Sequence, residues 1–304
     1  MRDRGPDDTQ LMTWDNVGFV FKRLSIVDVA GGRQPMTTPD GRVSAMVNGE
    51  IYNHREIRAT LAGRHAMRTQ SDAEVVPYLY LDRGLRMFDP VNGIFAVGLL
   101  DRQRRRLVLG RDRAGVKPLF YYRSPDGALL VFASELKGLF AHPDVPRRFD
   151  WRSAIAEWTL PDCAAREMPS GFEGIERVPA ASMLDVSLDG GGCRIERYWQ
   201  LPAPNAEAPM LPATHYADRY GELLADSVKL QLMSDVPYGV FLSGGVDSAT
   251  VAALAARAGP MPTFSVLSRS TLGSGDAEAA HEVAAALGVP NHPVYLDEQS
   301  LALR

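Results

Sequence analysis

The sequence predicts a chain in two parts: a strand-dominated α+β domain over residues 1–198, then an α/β domain built on a parallel sheet over residues 215–304, joined by a linker at 199–214. Three observations carry this reading. Up to about Tyr198, short apolar runs alternate with turn residues and few helices intervene. The stretch Leu201-Pro-Ala-Pro-Asn-Ala-Glu-Ala-Pro-Met-Leu-Pro212 is rich in Pro and Ala and has no hydrophobic period. Beyond it, helical and strand periods alternate, as in a parallel sheet with crossover helices.

Taken in order, strands are expected at 18–21, 43–47, 94–100, 106–110, 119–122, 128–133 and 182–186. Helices are expected at 53–61 and 72–83, the second opened by Ser71 with Glu74 three residues later, the spacing of a capping box. After the linker, the pattern gives a helix at 215–233, a strand at 239–242, a helix at 246–258, a strand at 263–267, a helix at 277–287 and a strand at 293–296. In the helix at 277–287, Ala280, Val283, Ala284 and Leu287 share one face, as a crossover helix requires.

The strand-to-helix junction Phe241-Leu242-Ser243-Gly244-Gly245-Val246-Asp247-Ser248 carries the densest chemistry. Two glycines let backbone approach a phosphate, and the first turn of the following helix offers free N–H groups and a positive dipole end. Asp247 can hold Mg²⁺ and Ser248 can donate to a phosphate oxygen. No lysine stands where a Walker A loop places one, which excludes that class of phosphate loop. The pattern resembles the Ser-Gly-Gly-x-Asp-Ser signature of enzymes that split ATP between its α- and β-phosphates. Ligands in such a sheet belong at the C-terminal strand ends, where this loop sits.

Composition narrows the function classes. Lys and Arg number 33 against 37 Asp and Glu, a net charge of −4, with the basic residues scattered. That distribution argues against nucleic-acid or anionic-membrane partners. No run of 18 apolar residues and no charged-then-apolar leader occur, so an unexported protein of the cytoplasm is expected. The two cysteines, Cys163 and Cys193, are too few for a disulfide framework and show no metal spacing, and the six histidines form no metal pattern.

The first part holds a second set of candidates. Arg23 stands at a strand edge before Leu24, Ser25, Ile26 and Val27; Asn48, Gly49 and Glu50 end another strand; Asp72 starts a helix. A free amino acid needs a cation for its carboxylate and an acceptor for its ammonium group, and acyl transfer needs oxyanion donors. Singly, each also has an ordinary structural reading, with Asn-Gly as a turn, Asp72 as a cap and Arg23 as a surface charge.

Eight segments together resemble the glutamine-hydrolysing asparagine synthetases, in that family's order. They are Arg4-Gly5-Pro6-Asp7, Arg23 to Asp28, Gln34-Pro35, Asn48 to Asn53, Ser71 to Glu74, Gly110-Arg111-Asp112-Arg113, Phe132-Ala133-Ser134-Glu135 and Asp235 to Gly239 with Ser243 to Ser248. The resemblance implies an N-terminal-nucleophile glutaminase, a four-layer sandwich of two sheets between helices, followed by an ATP-pyrophosphatase synthetase domain. It implies glutamine, aspartate and ATP as partners, with Mg²⁺ as cofactor, a homodimer as assembly, and amidation of aspartate through an aspartyl-adenylate. By resemblance, Arg23 and the backbone of Leu24, Ser25, Ile26 and Val27 bind the glutamine carboxylate, Glu50 and Asp72 its ammonium end, and Asn48 with Gly49 the oxyanion. Ser243, Gly244, Gly245, Asp247 and Ser248 take the pyrophosphate, and Phe241 and Val266 contact the nucleotide.

The chain also departs from the family. Its glutaminases attack with a cysteine at residue 1, whereas this chain starts Met1-Arg2-Asp3-Arg4 and has neither that cysteine nor the first strand. It stops at Arg304, before the family's remaining synthetase segments. The expectation is a fragment of a synthetase, truncated at both ends and inactive alone. The alternatives are a degenerate product that binds glutamine or a nucleotide, and a relative that amidates another carboxylate or closes a β-lactam ring.

Overall fold

The computed structural model describes residues 2–152, 155, 170–190, 192–205, 209–267 and 275–296. Two compact units follow one another, Met1–Pro204 and Asn205–Arg304.

In unit 1 the chain enters as a hairpin, β1 (Asp8–Trp14) and β2 (Val17–Arg23), whose register pairs Trp14 with Val17 across a two-residue turn. Asp15 in that turn sits at φ 51°, the left-handed conformation that Asp and Asn tolerate and that two-residue hairpins need. Strand β1 is absent from the sequence expectation because its apolar residues face mixed surroundings: Leu11 is 70% exposed while Met12 and Trp14 pack inward. There follow β3 (Met36–Thr37), β4 (Val43–Ile51), helix α1 (His54–Leu61), helix α2 (Val75–Arg83), β5 (Gly93–Asp101), β6 (Arg106–Arg111), β7 (Phe120–Arg123), β8 (Leu130–Ala133), α3 (Leu136–Leu139), β9 (Ile175–Arg177), β10 (Ser182–Ser187) and β11 (Cys193–Arg197).

The main sheet has six strands in the order β11-β10-β6-β5-β4-β3, and a second sheet has the order β8-β7-β9. Both faces of the main sheet's central strands β4, β5, β6 and β10 are covered, so these read as largely apolar runs, while edge strand β11 is mostly exposed. Val43, Ala45, Val47, Phe95, Val97, Leu99, Val108 and Met183 point to one side, where Ile57, Leu61, Val75 and Leu79 of α1 and α2 meet them. The residues between them, Met46, Ala96, Leu100, Leu107, Leu109 and Leu184, point to the other, against Phe19, Leu119 and Tyr121. Beyond β7, Phe120 and Tyr122 pack on Leu139 of α3. Unit 1 thus runs in layers from helices through two levels of sheet to a short helix.

Two expectations need correction. The capping box does not form: Ser71 makes no capping hydrogen bond, a 3₁₀ turn at Asp72–Glu74 precedes α2, and the Glu74 carboxylate accepts from the N–H groups of Arg68 and Thr69. The acid locks the incoming loop because those donors have no ladder partner. The strand expected from 128 starts at Leu130, since Ser124 Oγ accepts from Leu129 N–H (2.9 Å) and holds residues 124–129 as a turn.

Unit 2 comprises helix α4 (Ala213–Gln231), β12 (Val240–Phe241), helix α5 (Val246–Ala256), β13 (Thr263–Leu267), helix α6 (Asp276–Leu287) and β14 (Asn291–Tyr295). The strands form a parallel sheet in the order β12-β13-β14. Ala252 and Ala255 of α5 and Ala280 and Ala284 of α6 are buried with Leu242 and Val228, and Val283 and Leu287 pack beside them, as the apolar face of α6 predicts.

Leu99 is fully buried between α2 and the main sheet. Leu99→Ala is expected to cost about 2–5 kcal/mol through lost burial and the cavity left behind. Chemical denaturation checks it: the midpoint of the unit 1 transition moves down with its slope unaltered.

Candidate active site

A cavity of about 620 Å³ lies in unit 1 between the main sheet, β2 and β8. Its wall includes Arg23, Leu24, Ile26, Val27, Asn48, Gly49, Glu50 and Asp72, eight of the nine residues expected on sequence grounds; Ser25 is outside it.

The end of β4 is shaped by backbone crowding. Gly49 has φ 134°, and a Cβ there would lie 1.9 Å from the carbonyl oxygen of Ile94, so only glycine lets β4 close on β5. Two residues earlier, at Val47, Gln34 acts as a side-chain strand partner, its Oε1 accepting from Val47 N–H (2.7 Å) and its Nε2 donating to Val47 O (3.2 Å). Asn48 is thereby held from both sides and donates from Nδ2 to Ser134 Oγ (3.2 Å). An amide and a glycine backbone on one wall can supply donors to a developing oxyanion.

Glu50 and Asp72 line the same cavity, close enough for each carboxyl to act on the other. Asp72 is buried and its Oδ2 accepts from Ile51 N–H (2.8 Å), which ties the 3₁₀ turn to β4. Burial first, and the adjacent Asp72 charge second, push the Glu50 carboxyl up to about 8. Burial likewise raises Asp72, against the pull of the Ile51 and Ala73 N–H groups. Two carboxylates this close hold a proton between them unless a cation arrives.

Arg23, expected at the carboxylate of an amino acid, also holds backbone. Its buried guanidinium donates to the carbonyls of Val29 (3.0 Å), Val27 (3.0 Å) and Asp28 (2.8 Å), so much of its donor capacity holds the loop at 24–29 in shape. That loop is fastened further by Asp7, which accepts from Ser25 N–H (2.7 Å), and by Asp28, which accepts from Gln70 N–H (2.7 Å) beside the Ser71–Asp72 turn. Asp7, Asp28, Gln34 and Ser134 stand in the sequence segments that carried the resemblance, and the structure gives each a partner there.

Unit 2 has a second cavity, of about 360 Å³, at the C-terminal ends of β12 and β13. Phe241, Ser243, Ser248 and Val266 line it, together with Ser265 and Asp276, which the sequence reading had not singled out; Gly244, Gly245 and Asp247 are outside its lining. Gly244 has φ 85°, and a Cβ there would lie 2.5 Å from the Asp276 carbonyl, so the loop packs directly on the start of α6. The Ser243 and Ser248 hydroxyls meet at 3.0 Å across the first turn of α5. Asp247 lies exposed on that turn. Among the described residues no three His, Cys, Asp or Glu side chains cluster as a metal cage. A Mg²⁺ carried on phosphates needs only one or two protein carboxylates, so Asp247 fits that donor set.

Of the cysteines, Cys193 lies on β11 outside the first cavity's wall, and Cys163 is outside the described residues. No helix among the described residues is long and apolar enough to cross a membrane.

A family model for the glutamine amidotransferase domain matches residues 1–199. The chain belongs to that family. A model for asparagine synthase matches residues 219–303, so the amidotransferase unit is followed by a synthase segment. The chain is 42% identical over 297 residues to asparagine synthetase [glutamine-hydrolyzing] 2 of Bacillus subtilis, covering 96% of this chain and 39% of the relative. It is 34% identical to asparagine synthetase B [glutamine-hydrolyzing] of Escherichia coli, covering 98% and 50%. An amidase of Penicillium rubens is 34% identical, covering 99% and 46%. The chain therefore spans half or less of the length of these relatives.

The raised Glu50 carboxyl has a stability consequence. Below its ordinary value of 4.5 both folded and unfolded chains carry the proton; between 4.5 and about 8 only the unfolded chain loses it, which favours unfolding increasingly as pH rises. Glu50→Gln removes that penalty. Its melting temperature is expected to exceed that of the unsubstituted protein by a margin that widens from pH 5 to pH 8; a margin constant across that range in thermal melts counts against it.

Proposed function

We propose that unit 1 binds glutamine as a nitrogen donor and that unit 2 binds ATP, within an amidotransferase that converts a carboxylate to an amide. The observation that carries the reading is the meeting, in one cavity, of the Asn48–Gly49 pair with the Glu50–Asp72 pair. The two carboxylates suit the α-ammonium end of an amino acid, and Asn48 with Gly49 suits the oxyanion formed when its side-chain amide is attacked. Support for glutamine comes from the amidotransferase family and from relatives named as glutamine-hydrolysing synthetases. The layered arrangement of unit 1 agrees with an N-terminal-nucleophile glutaminase.

In unit 2 the loop at 243–245 and the start of α5 offer backbone N–H groups and a positive dipole end to a pyrophosphate. Phe241 and Val266 offer apolar surface for a base. Asp247 would hold Mg²⁺, which neutralises phosphate charge when bound. Aspartate is the proposed acceptor, activated as an aspartyl-adenylate and amidated by ammonia, in keeping with the relatives named as asparagine synthetases. A homodimer in the cytoplasm completes the proposal.

Two binding experiments test the halves separately. Titration calorimetry of the full chain with L-glutamine should give saturable binding, and Asp72→Asn should weaken it about 10- to 150-fold, the equivalent of a lost hydrogen bond to a charged group; unaltered affinity in Asp72→Asn argues against the site. For unit 2, Gly244→Ala should abolish ATP binding measured the same way, because the new Cβ drives the loop off α6; ATP affinity that survives the substitution removes the loop from the site.

A further inference from the structure

The strongest unexplained construction in unit 1 is the turn after β6. The Asp112 carboxylate accepts four backbone N–H bonds: Oδ1 from Ala114 (3.1 Å) and Val116 (2.9 Å), Oδ2 from Lys117 (3.0 Å) and Phe95 (3.2 Å). From the other side, Arg111 donates from Nε to Lys117 O (2.8 Å), from Nη2 to Gly115 O (2.6 Å) and from Nη1 to Val178 O (2.9 Å). Both backbone groups of Lys117 are thus gripped by buried, charged side chains. These bonds fix the backbone of Lys117, which lines the 620 Å³ cavity with Glu50 and Asp72.

We propose that Lys117 is the built-in counterion of the amino-acid pocket, delivered by the Arg111–Asp112 turn to the Glu50–Asp72 pair, and that the α-ammonium group of an entering amino acid takes over its place. The inference rests on the glutamine reading of this cavity. It makes Lys117 a positioning residue: in the ligand-free pocket it steadies the negative charge of the singly protonated pair, and the ligand's ammonium displaces it. The groups facing Glu50 are Asp72 from the 3₁₀ turn, Lys117 from the turn after β6 and Arg23 from β2, with the Tyr52 phenol nearby. Of the two cations, Lys117 acts on Glu50 more strongly than Arg23. Arg23 is committed to three carbonyls, which leaves Lys117 as the cation free to yield.

Proton balance gives the consequence. At pH 7 the pair retains one proton, because Glu50 titrates at about 8. When the ligand's ammonium group replaces Lys117 and donates directly to both carboxylates, that proton leaves the Glu50 carboxyl for the buffer and the ligand keeps its own. The exchange fades as pH rises through 8, where the pair is already ionised.

Two measurements on the full chain test this, using the unsubstituted protein and Lys117→Met. Carbon NMR of labelled glutamate carboxyls, with Glu50→Gln for assignment, reads the ligand-free pocket: the Glu50 midpoint should lie near pH 8 and move to higher pH in Lys117→Met. Calorimetry with L-glutamine in phosphate and in Tris reads the exchange: proton release should be close to one per glutamine at pH 7 and should vanish at higher pH. In Lys117→Met the release should persist to higher pH, following the raised Glu50 midpoint. A Glu50 midpoint unmoved by Lys117→Met, or glutamine binding without proton release, overturns this inference alone. Absence of glutamine binding overturns the proposed function and the exchange with it.

Discussion

The antiparallel closure of β4 on β5 is the constraint on which unit 1 depends. Nine residue pairs, from Val43↔Asp101 to Ile51↔Gly93, bring two strands together that are buried on both faces. At the far end the closure is tight enough that two positions exclude a side chain: a Cβ on Gly49 would strike the Ile94 carbonyl and one on Gly93 the Glu50 carbonyl. The crowding has a chemical result. It sets Asn48, Gly49 and Glu50 as successive residues of the cavity wall, on backbone that packing on both sides prevents from relaxing.

Around that edge the molecule uses buried and half-buried charge as fastening. Asp72 joins a 3₁₀ turn to β4, Asp28 joins the loop after β2 to the segment before Asp72, and Asp112 gathers four N–H groups of an irregular turn. Each carboxylate satisfies donors that no ladder or helix can reach, which is the cost of putting loops rather than regular elements at a site. Arg23 and Arg111 do the converse, collecting loop carbonyls. The residues that hold the cavity wall in place are therefore charged and distributed over distant parts of the sequence.

Unit 2 solves a similar problem with less. Its core is largely alanine from α5 and α6, which lets helices lie close to a short parallel sheet. Close approach then brings the start of α6 against Gly244, and Asp276 joins the rim of the second cavity. The phosphate-loop pattern describes the loop alone; the rim is completed by an element some 30 residues later in the chain, as parallel crossover topology dictates.

The sequence by itself determined the element grammar: apolar runs became β4, β5, β6 and β10, the spacing in 277–287 became the buried face of α6, and the Ser-Gly-Gly pattern marked a strand-to-helix junction. Period and composition are local properties, so a linear reading captures them. Tertiary structure alone decided which face each residue of a doubly buried strand presents, because Val47 and Met46 are equally apolar and only their neighbours separate helix side from sheet side. It also replaced the local capping box at Ser71 with long-range bonds, since Glu74 found unpaired N–H groups nearer than its own helix end. And it turned Lys117, an unremarked residue in a turn, into a wall of the cavity: its place follows from Asp112 and Arg111 gripping backbone across the fold, contacts that no spacing encodes.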